Sequence, residues 1–311
     1  MGMTLLEASK LAGPNTKRGA IIEIFAKSSP LLAAVQFNSI QGTGVDYDQE
    51  GALPGVAFRG INEEYTAGAG VVNPQHDPLK IAGGTLDVDS ALVKMMGGNV
   101  RAKHEAMKAR ALSLSIAKTI IKGDSQSNAK EFDGLQRRLT GNQLIRTTTN
   151  ATDAPAALTI AKLFELKSAV QDPTHWIMNA TMRDKLSIAA MTPTVGGYVT
   201  VTKDEWGRDV TMFSGLPILV AGKDNTNTEI IPNTETAGDA GADSTSVYCV
   251  SMGDGMIEGI QNSTMEVKDL GLLDSGTVYR TLVEWLCGLA VYHSRAGGRC
   301  WNIDYTAAIT L

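Results

Sequence analysis

Cysteine is scarce in this chain: three in 311 residues, at Cys249, Cys287 and Cys300. Three thiols cannot all pair within one chain, and their spacing fits neither a zinc ribbon nor a CxxC redox motif. A disulfide framework is therefore excluded, and a reducing compartment is the simplest setting. Histidine is as sparse, with four residues (His76, His104, His175, His293) at no HxxH or HxxxH spacing, so no metal site is expected. No stretch approaches the ~18 consecutive apolar residues of a membrane helix, and the N-terminal MGMTLLEASKLAG lacks the apolar core of a signal peptide. A soluble chain without a membrane partner or a recognisable secretion route is expected. The Asn-x-Ser/Thr triplets at Asn150, Asn179 and Asn262 then read as accidents of composition. Positive charge is also in deficit, 28 Lys and Arg against 33 Asp and Glu, which speaks against a dedicated high-affinity nucleic-acid binder.

The signatures of catalysis are missing as well. There is no G-x-S-x-G nucleophile elbow and no G-x-x-x-x-G-K-[ST] phosphate loop. Gly253-Asp254-Gly255 lacks GxGxxG spacing and reads as a turn between strands. Asp46, Asp48, Glu50, Glu63 and Glu64 do not follow the D-x-[DN]-x-[DN]-G calcium loop, so a solvated or interface-facing ribbon of charge is the better reading. No catalytic residue, metal or cofactor is expected.

What the chain does have is glycine, 32 residues, and an ordinary globular balance of 43% hydrophobic and 20% charged. Its length suffices for one large or two modest cores. Residues 1–37 read as an arm of short helices, with apolar patches at Leu5, Leu6, Leu11 and at Ile21, Ile22, Ile24, Phe25. Residues 38–90 form a Gly-rich extended region. It alternates at Val45 and Tyr47, breaks at Leu53-Pro54-Gly55, resumes at Val56 and Phe58, and runs on to a second strand from Leu79 to Val88. An isolated two-stranded ribbon is marginal in water, so this one needs a partner surface.

Residues 98–122 are the clearest helix, with Val100, Met107, Ala111, Leu114 and Ile121 predicted on its apolar face. Arg101, Lys103, Lys108, Arg110, Lys118 and Lys122 make it a local positive stripe with one acid, Glu105. A solvated helix face accounts for such a run unless it faces a polyanion. Further on, an amphipathic helix at 160–170 precedes a buried strand at Trp176-Ile177-Met178. Thr181-x-x-Asp184 has the form of a capping box for a following helix. A hairpin at 198–213, a polar surface loop at 223–245 and strands at 247–252, 256–260, 264–267 and 278–291 complete the chain.

In this order, particular stretches become recognisable. TLLEASKLA (4–12), RGAIIEIFAKSSPLLAAVQF (18–37), LPGVAFRGINEEYT (53–66), PLKIAGGTLDVDSALVK (78–94) and GDSQSNAKEFDGLQRRL (123–139) carry the likeness. It continues through HWIMNATMRD (175–184), SGLPILVAG (214–222) and VSMGDGMIEGI (250–260). The chain resembles the major capsid proteins of tailed bacteriophages, whose fold encapsulin nanocompartments share. The resemblance implies an α+β capsid fold: N-terminal arm at 1–37, extended loop and adjoining peripheral strands at 38–90, peripheral domain with a spine helix at 91–149, axial domain at 150–277, and a peripheral return at 278–311.

It further implies a virion shell that assembles in the host cytoplasm from pentamers and hexamers around double-stranded DNA. Asp46, Asp48, Arg59, Glu63, Glu64 and Lys80 would meet a neighbouring subunit. The six cations of the spine would face the lumen and the DNA, or else other subunits. Tyr198, Lys203, Asp204, Glu205 and Trp206 would meet around capsomer axes. Scaffolding protein, portal and a decoration protein are the implied partners. A separate scaffold or an already mature form would account for a chain that begins at the arm. An encapsulin-type compartment shell is the alternative on the same fold, and a soluble α/β enzyme is disfavoured by the missing catalytic set.

Overall fold

A computed structural model describes residues 29–65, 67–96, 99–150, 153–191, 197–203, 209–236, 243–274 and 276–310. The helices expected within 1–28 lie outside the described residues. In chain order the elements are α1 (Pro30–Ala34), β1 (Phe37–Ser39), β2 (Gly44–Ala52), β3 (Val71–Pro78), β4 (Lys80–Asp89), α2 (Ser90–Met96), α3 (Asn99–Lys122), α4 (Leu135–Arg138) and β5 (Leu144–Arg146). There follow α5 (Ile160–Ala169), β6 (His175–Met178), α6 (Ala180–Ala189), β7 (Val199–Lys203), β8 (Asp209–Phe213), β9 (Leu216–Val220) and β10 (Glu235–Thr236). The chain ends with β11 (Asp243–Val250), β12 (Ile257–Gln261), β13 (Glu266–Leu272), β14 (Val278–Val291) and β15 (Gly297–Ile303).

The apolar run at 278–291 is a strand, β14, because its β-branched and aromatic residues alternate: Thr281, Val283, Trp285 and Cys287 are buried, while Leu282, Glu284 and Leu286 are half-buried. β4 pairs along one edge of β14, from Asp89↔Val278 to Lys80↔Cys287. β13 and β12 follow one another along the opposite edge, and β1 adds in parallel to β12. This five-stranded sheet carries α3 on its inner face. Leu112, Ile116, Ile120 and Ile121 of α3 share one core with Val283, Trp285, Cys287 and Leu289, closed at its end by Leu31, Leu32, Phe37 and Leu135. An eight-stranded sheet runs β5-β15-β11-β6-β9-β8-β7, with β10 on β11. Its core lies under α5 and α6, where Leu163, Leu166, Met182 and Leu186 meet Trp176, Phe213, Val247 and Cys300.

Strands of the 150–277 segment enter both sheets, and the 278–311 segment sends β14 into one and β15 into the other. The interior of the fold is thus tied across the expected domain boundaries by hydrogen-bonded strands.

Several local expectations are corrected. The buried face of α3 is rotated from most of the predicted one: Glu105, Ala109, Leu112, Ser113, Ile116, Ala117 and Ile120 are buried along with the predicted Ile121, while the predicted Met107 is exposed. The misreading came from weighting large side chains. The sheet lies close enough that Ala and Ser fill the contact, and Glu105 is accommodated by Thr281 (3.0 Å) and Arg101 (3.2 Å). Helix α6 is capped by Asn179, whose side chain accepts from the Met182 N–H at 2.8 Å, and not by Thr181. The 223–245 stretch is not wholly surface. Ile230 and Ile231 enter the core, and Asp224 is buried as the acceptor of the Thr226 and Thr228 N–H groups. Residues 53–60 form no strand, and the ribbon's second arm is β3 rather than the 79–88 run, which joins the large sheet.

Candidate functional site

Among the described residues, strands β2 and β3 pair only with each other, in register from Gly44↔Pro78 through Asp46↔His76 and Asp48↔Pro74. Both outer edges of such a ribbon are free, which is why Pro74 and Pro78 are tolerated there. The same prolines hid β3 from a reading of strand propensity.

The base of the ribbon is held firmly. Asp77 is buried and forms an ion pair with Arg138 of α4. The Tyr47 hydroxyl lies 2.7 Å from the Val291 carbonyl and 3.0 Å from the Asp77 carboxylate, and its ring packs edge-on to Tyr292 at 4.9 Å. Burial pushes the Tyr47 phenol above its ordinary value, against the opposing pull of Arg138. Next along the ribbon, exposed Asp46 meets His76 at 2.6 Å.

Beyond the base the ribbon has no core. Val56 is 91% exposed, Ile61 94% and Phe58 fully so, with Leu53 and Tyr65 also exposed. The tip is nevertheless organised. The Gly60 N–H donates to the Glu63 carboxylate at 2.8 Å, Arg59 donates to the Glu63 carbonyl at 3.0 Å, and the Arg59 guanidinium lies 5.3 Å from the Tyr65 ring centroid. Asn62 takes φ 68°, which Asn tolerates better than most residues. The tip is a preformed turn presenting apolar groups with Glu64 beside them.

The anticipated residues fall in different settings. Arg59 and Glu63 bond each other's segment at the tip, Glu64 and Asp48 are exposed, and Lys80 donates to the Ala129 carbonyl at 2.8 Å within its own chain. The cations of α3 are not one stripe. Arg101 is paired with Asp269 and Glu105, Lys118 with Asp224 at 3.0 Å, and Lys122 with Glu235 at 2.9 Å. Among the described residues no carboxylate lies within ion-pair distance of Lys103, Lys108 or Arg110. Tyr198 is partly exposed and packs edge-on to Phe164 at 5.3 Å; Lys203 is exposed. Asp204, Glu205 and Trp206 lie outside the described residues.

Sequence reasoning missed the Asp77–Arg138 clamp and the buried Glu235, which binds Lys122, Arg299 and Ser246. Neither left a local signal, since Asp77 sits between His76 and Pro78 and Glu235 lies within a polar stretch. The three cysteines are free and buried, and burial pushes each thiol up to about 12, so none is a ready nucleophile. Among the described residues, no three His, Cys, Asp or Glu side chains converge as a metal-holding group, and no helix is long and apolar enough to cross a membrane. The most distinctive geometry among the described residues is a clamped arm with an apolar, charged tip.

The model of the family Major capsid protein GP7 matches residues 13–157. Curated proteins offer no match. Among solved structures, the holo-SrpI encapsulin complex from Synechococcus elongatus aligns over 89% of this chain and 88% of its own, at 16% identity and a TM-score of 0.59. A structure from Mycobacterium phage Adephagia aligns over 88% and 89%, at 10% identity and a TM-score of 0.60. The capsid of an empty GTA particle aligns over 88% and 89%, at 13% identity and 0.57. At such identities the structures speak for the fold, while the family match runs from residue 13 through the ribbon and α3. These findings agree with the sequence stretches: over residues 13–157 the chain is similar to the family Major capsid protein GP7, and its fold is that of the GTA capsid and encapsulin structures.

Proposed function

We infer that the chain is the structural subunit of a closed icosahedral shell, self-assembling to enclose the double-stranded DNA genome of a tailed bacteriophage. The observation that carries this reading is the β2–β3 ribbon, clamped at its base and fully exposed in its apolar tip. Such a patch is a liability in a monomer and becomes core when a neighbouring copy covers it. A contact between two different faces of identical subunits repeats around a rotation axis and closes into rings. Pentamers and hexamers supply those rings. Each subunit then buries about 2,000–5,000 Å², as obligate assemblies do. Tyr198, Lys203 and the neighbouring 204–206 segment would meet around the ring axes. Asp46, Asp48, Arg59, Glu63 and Glu64 would select register and partner more than add affinity. The role is structural and uses no catalysis or cofactor. A scaffolding protein, a portal, a decoration protein, non-specific contact with the packaged DNA, and assembly in the host cytoplasm belong to the same reading.

Electron microscopy of the purified protein tests it. Uniform shells or capsomer rings support the reading, and a monodisperse small oligomer that never closes overturns it. The encapsulin likeness keeps a second reading, a compartment shell around cargo protein. Particles isolated from the native source decide between the two: nuclease-protected double-stranded DNA marks the virion, and a co-purifying enzyme without DNA marks the compartment.

A further inference from the structure

The C-terminal end of α3 grips another segment of the chain in two places. Lys118 and Lys122 stand one helical turn apart on the same side of the helix. The Lys118 ammonium lies 3.0 Å from the Asp224 carboxylate, and the Lys122 ammonium lies 2.9 Å from the Glu235 carboxylate. Both acid side chains are buried, whereas Lys118 is half exposed. Asp224 also accepts from the Thr226 and Thr228 N–H groups, at 2.9 and 3.0 Å. Glu235 continues into the eight-stranded sheet. Arg299 of β15 lies 3.0 Å from its carboxylate, the Ser246 hydroxyl of β11 donates to the same group, and the Ser244 hydroxyl donates to its carbonyl at 2.8 Å. Between the two acids, Ile230 and Ile231 are buried in the core that includes α3, and the side-chain amide of Asn179, the cap of α6, donates to Asn233 at 2.6 Å.

Two kinds of contact therefore tie α3 to the eight-stranded sheet. Ile116, Ala117 and Ile120 of the helix belong to the same apolar core as Ile177 of β6 and Tyr248 and Val250 of β11. Apolar burial is non-directional, so it holds two surfaces together while leaving one free to slide or turn over the other. Charge-assisted bonds have a preferred geometry and fix direction. Among the described residues, the ion pairs that lead from α3 toward the eight-stranded sheet run through Asp224 and Glu235, while those of Arg101 lead to Glu105 and to Asp269 of β13. One such point leaves a pivot. Two fix an angle.

We propose that residues 224–235 act as a two-point brace, latched to α3 through Lys118–Asp224 and Lys122–Glu235, that fixes the angle at which the eight-stranded sheet is set against the helix. Releasing both latches lets the sheet shear over α3 without unfolding either core. The brace is a property of the single subunit and is independent of the shell reading. It also gives Lys118 and Lys122 an internal task.

Pulsed electron paramagnetic resonance on the unassembled full chain tests it. Spin labels go on T85C in β4 and A161C in α5, both exposed positions, while the three native thiols are buried. The near-isosteric D224N/E235Q pair keeps the side-chain hydrogen bonds and removes the two charges. It is expected to broaden the distance distribution at least about twofold, and to speed amide exchange across 224–235 about tenfold relative to β14. Sodium chloride at about 1 M, where screening reaches ~3 Å, should broaden the wild-type distribution through the half-exposed Lys118 and leave the double variant unchanged. A folded double variant with the wild-type distribution overturns the proposal. So does salt that broadens the double variant as much as the wild type, since the effect then lies elsewhere. K118M removes only a half-exposed cation and covers the case in which the double variant does not fold. Faster exchange across 224–228 is expected from it, and unchanged exchange there overturns the brace. Failure of the chain to form shells bears on the shell reading and leaves this measurement untouched.

Discussion

Arg138 and Asp77, sixty-one residues apart, close an ion pair that joins α4 to the end of β3, with the Asp77 carboxylate buried. The Asp77 carboxylate also lies 3.4 Å from the Val291 N–H, so one side chain ties ribbon, helix and β14 together. Removing one partner of a buried pair strands the other. Asp77→Ala is expected to cost about 3 kcal/mol in urea unfolding of the free subunit. Hydrogen exchange should accelerate across residues 44–52 and 71–78 more than in β14. Unchanged exchange in the ribbon would show that the pair does not hold it.

The tip makes the opposite prediction. Phe58→Asp and Ile61→Asp touch side chains that are exposed in the subunit, so the melt of the free subunit should shift by no more than about 0.5 kcal/mol equivalent. Shell formation should nevertheless collapse in sedimentation. Normal shells from a folded double variant would remove the ribbon from the interface.

Cys249, Cys287, Cys300 and Tyr248 are held by burial with folded pKa values of about 12, above the ordinary 9.0 of the thiols and 10.0 of the phenol. From about pH 9 the unfolded chain releases these protons while the folded chain retains them. The unfolded state then binds fewer protons, and stability falls as pH rises, by up to about 1.4 kcal/mol per pH unit for each titrating group. Unfolding measured from pH 8 to 11 should show this decline, and Cys287→Ala should flatten it. A thiol reagent at pH 8 should label the native subunit only as it unfolds.

Gly259 faces Phe37 across the parallel β1–β12 pair, and a Cβ there would stand 2.4 Å from the Phe37 ring. Gly259→Ala should therefore cost about 1–3 kcal/mol by overpacking. Because Phe37 packs on Trp285 at a centroid distance of 4.8 Å, the Trp fluorescence should change with it. Val72→Ala, at an exposed position of β3, serves as the control.

How far the sequence disclosed all this depends on the kind of signal. Elements with strong periodicity were legible: α3 ends at Lys122 as Gly123 required, and β14 was separated from a helix by its β-branched residues. The ribbon was legible as a segment without a core, from the alternation at Val45 and Tyr47 and the break at Leu53-Pro54-Gly55. Its pairing was not. β3 is rich in Pro and polar residues because it needs no buried face, so it leaves no strand pattern to read. The rotation of α3 escaped because Ala109, Ser113 and Ala117 face the sheet where larger residues were expected. The Asp77–Arg138 pair escaped because contacts between distant positions have no local signature. The free and neutralised cations of α3 look alike in sequence; only Asp224, Glu235 and Asp269, brought in from afar, distinguish them.

The base clamp makes the ribbon a cantilever. Nine residues of β2 give a beam of about 30 Å, and a tilt of about 10° at its Gly44–Pro78 end displaces its free end by about 5 Å. A single rigid body can therefore span gaps of unequal width, and one polypeptide can tile a surface whose curvature differs from place to place.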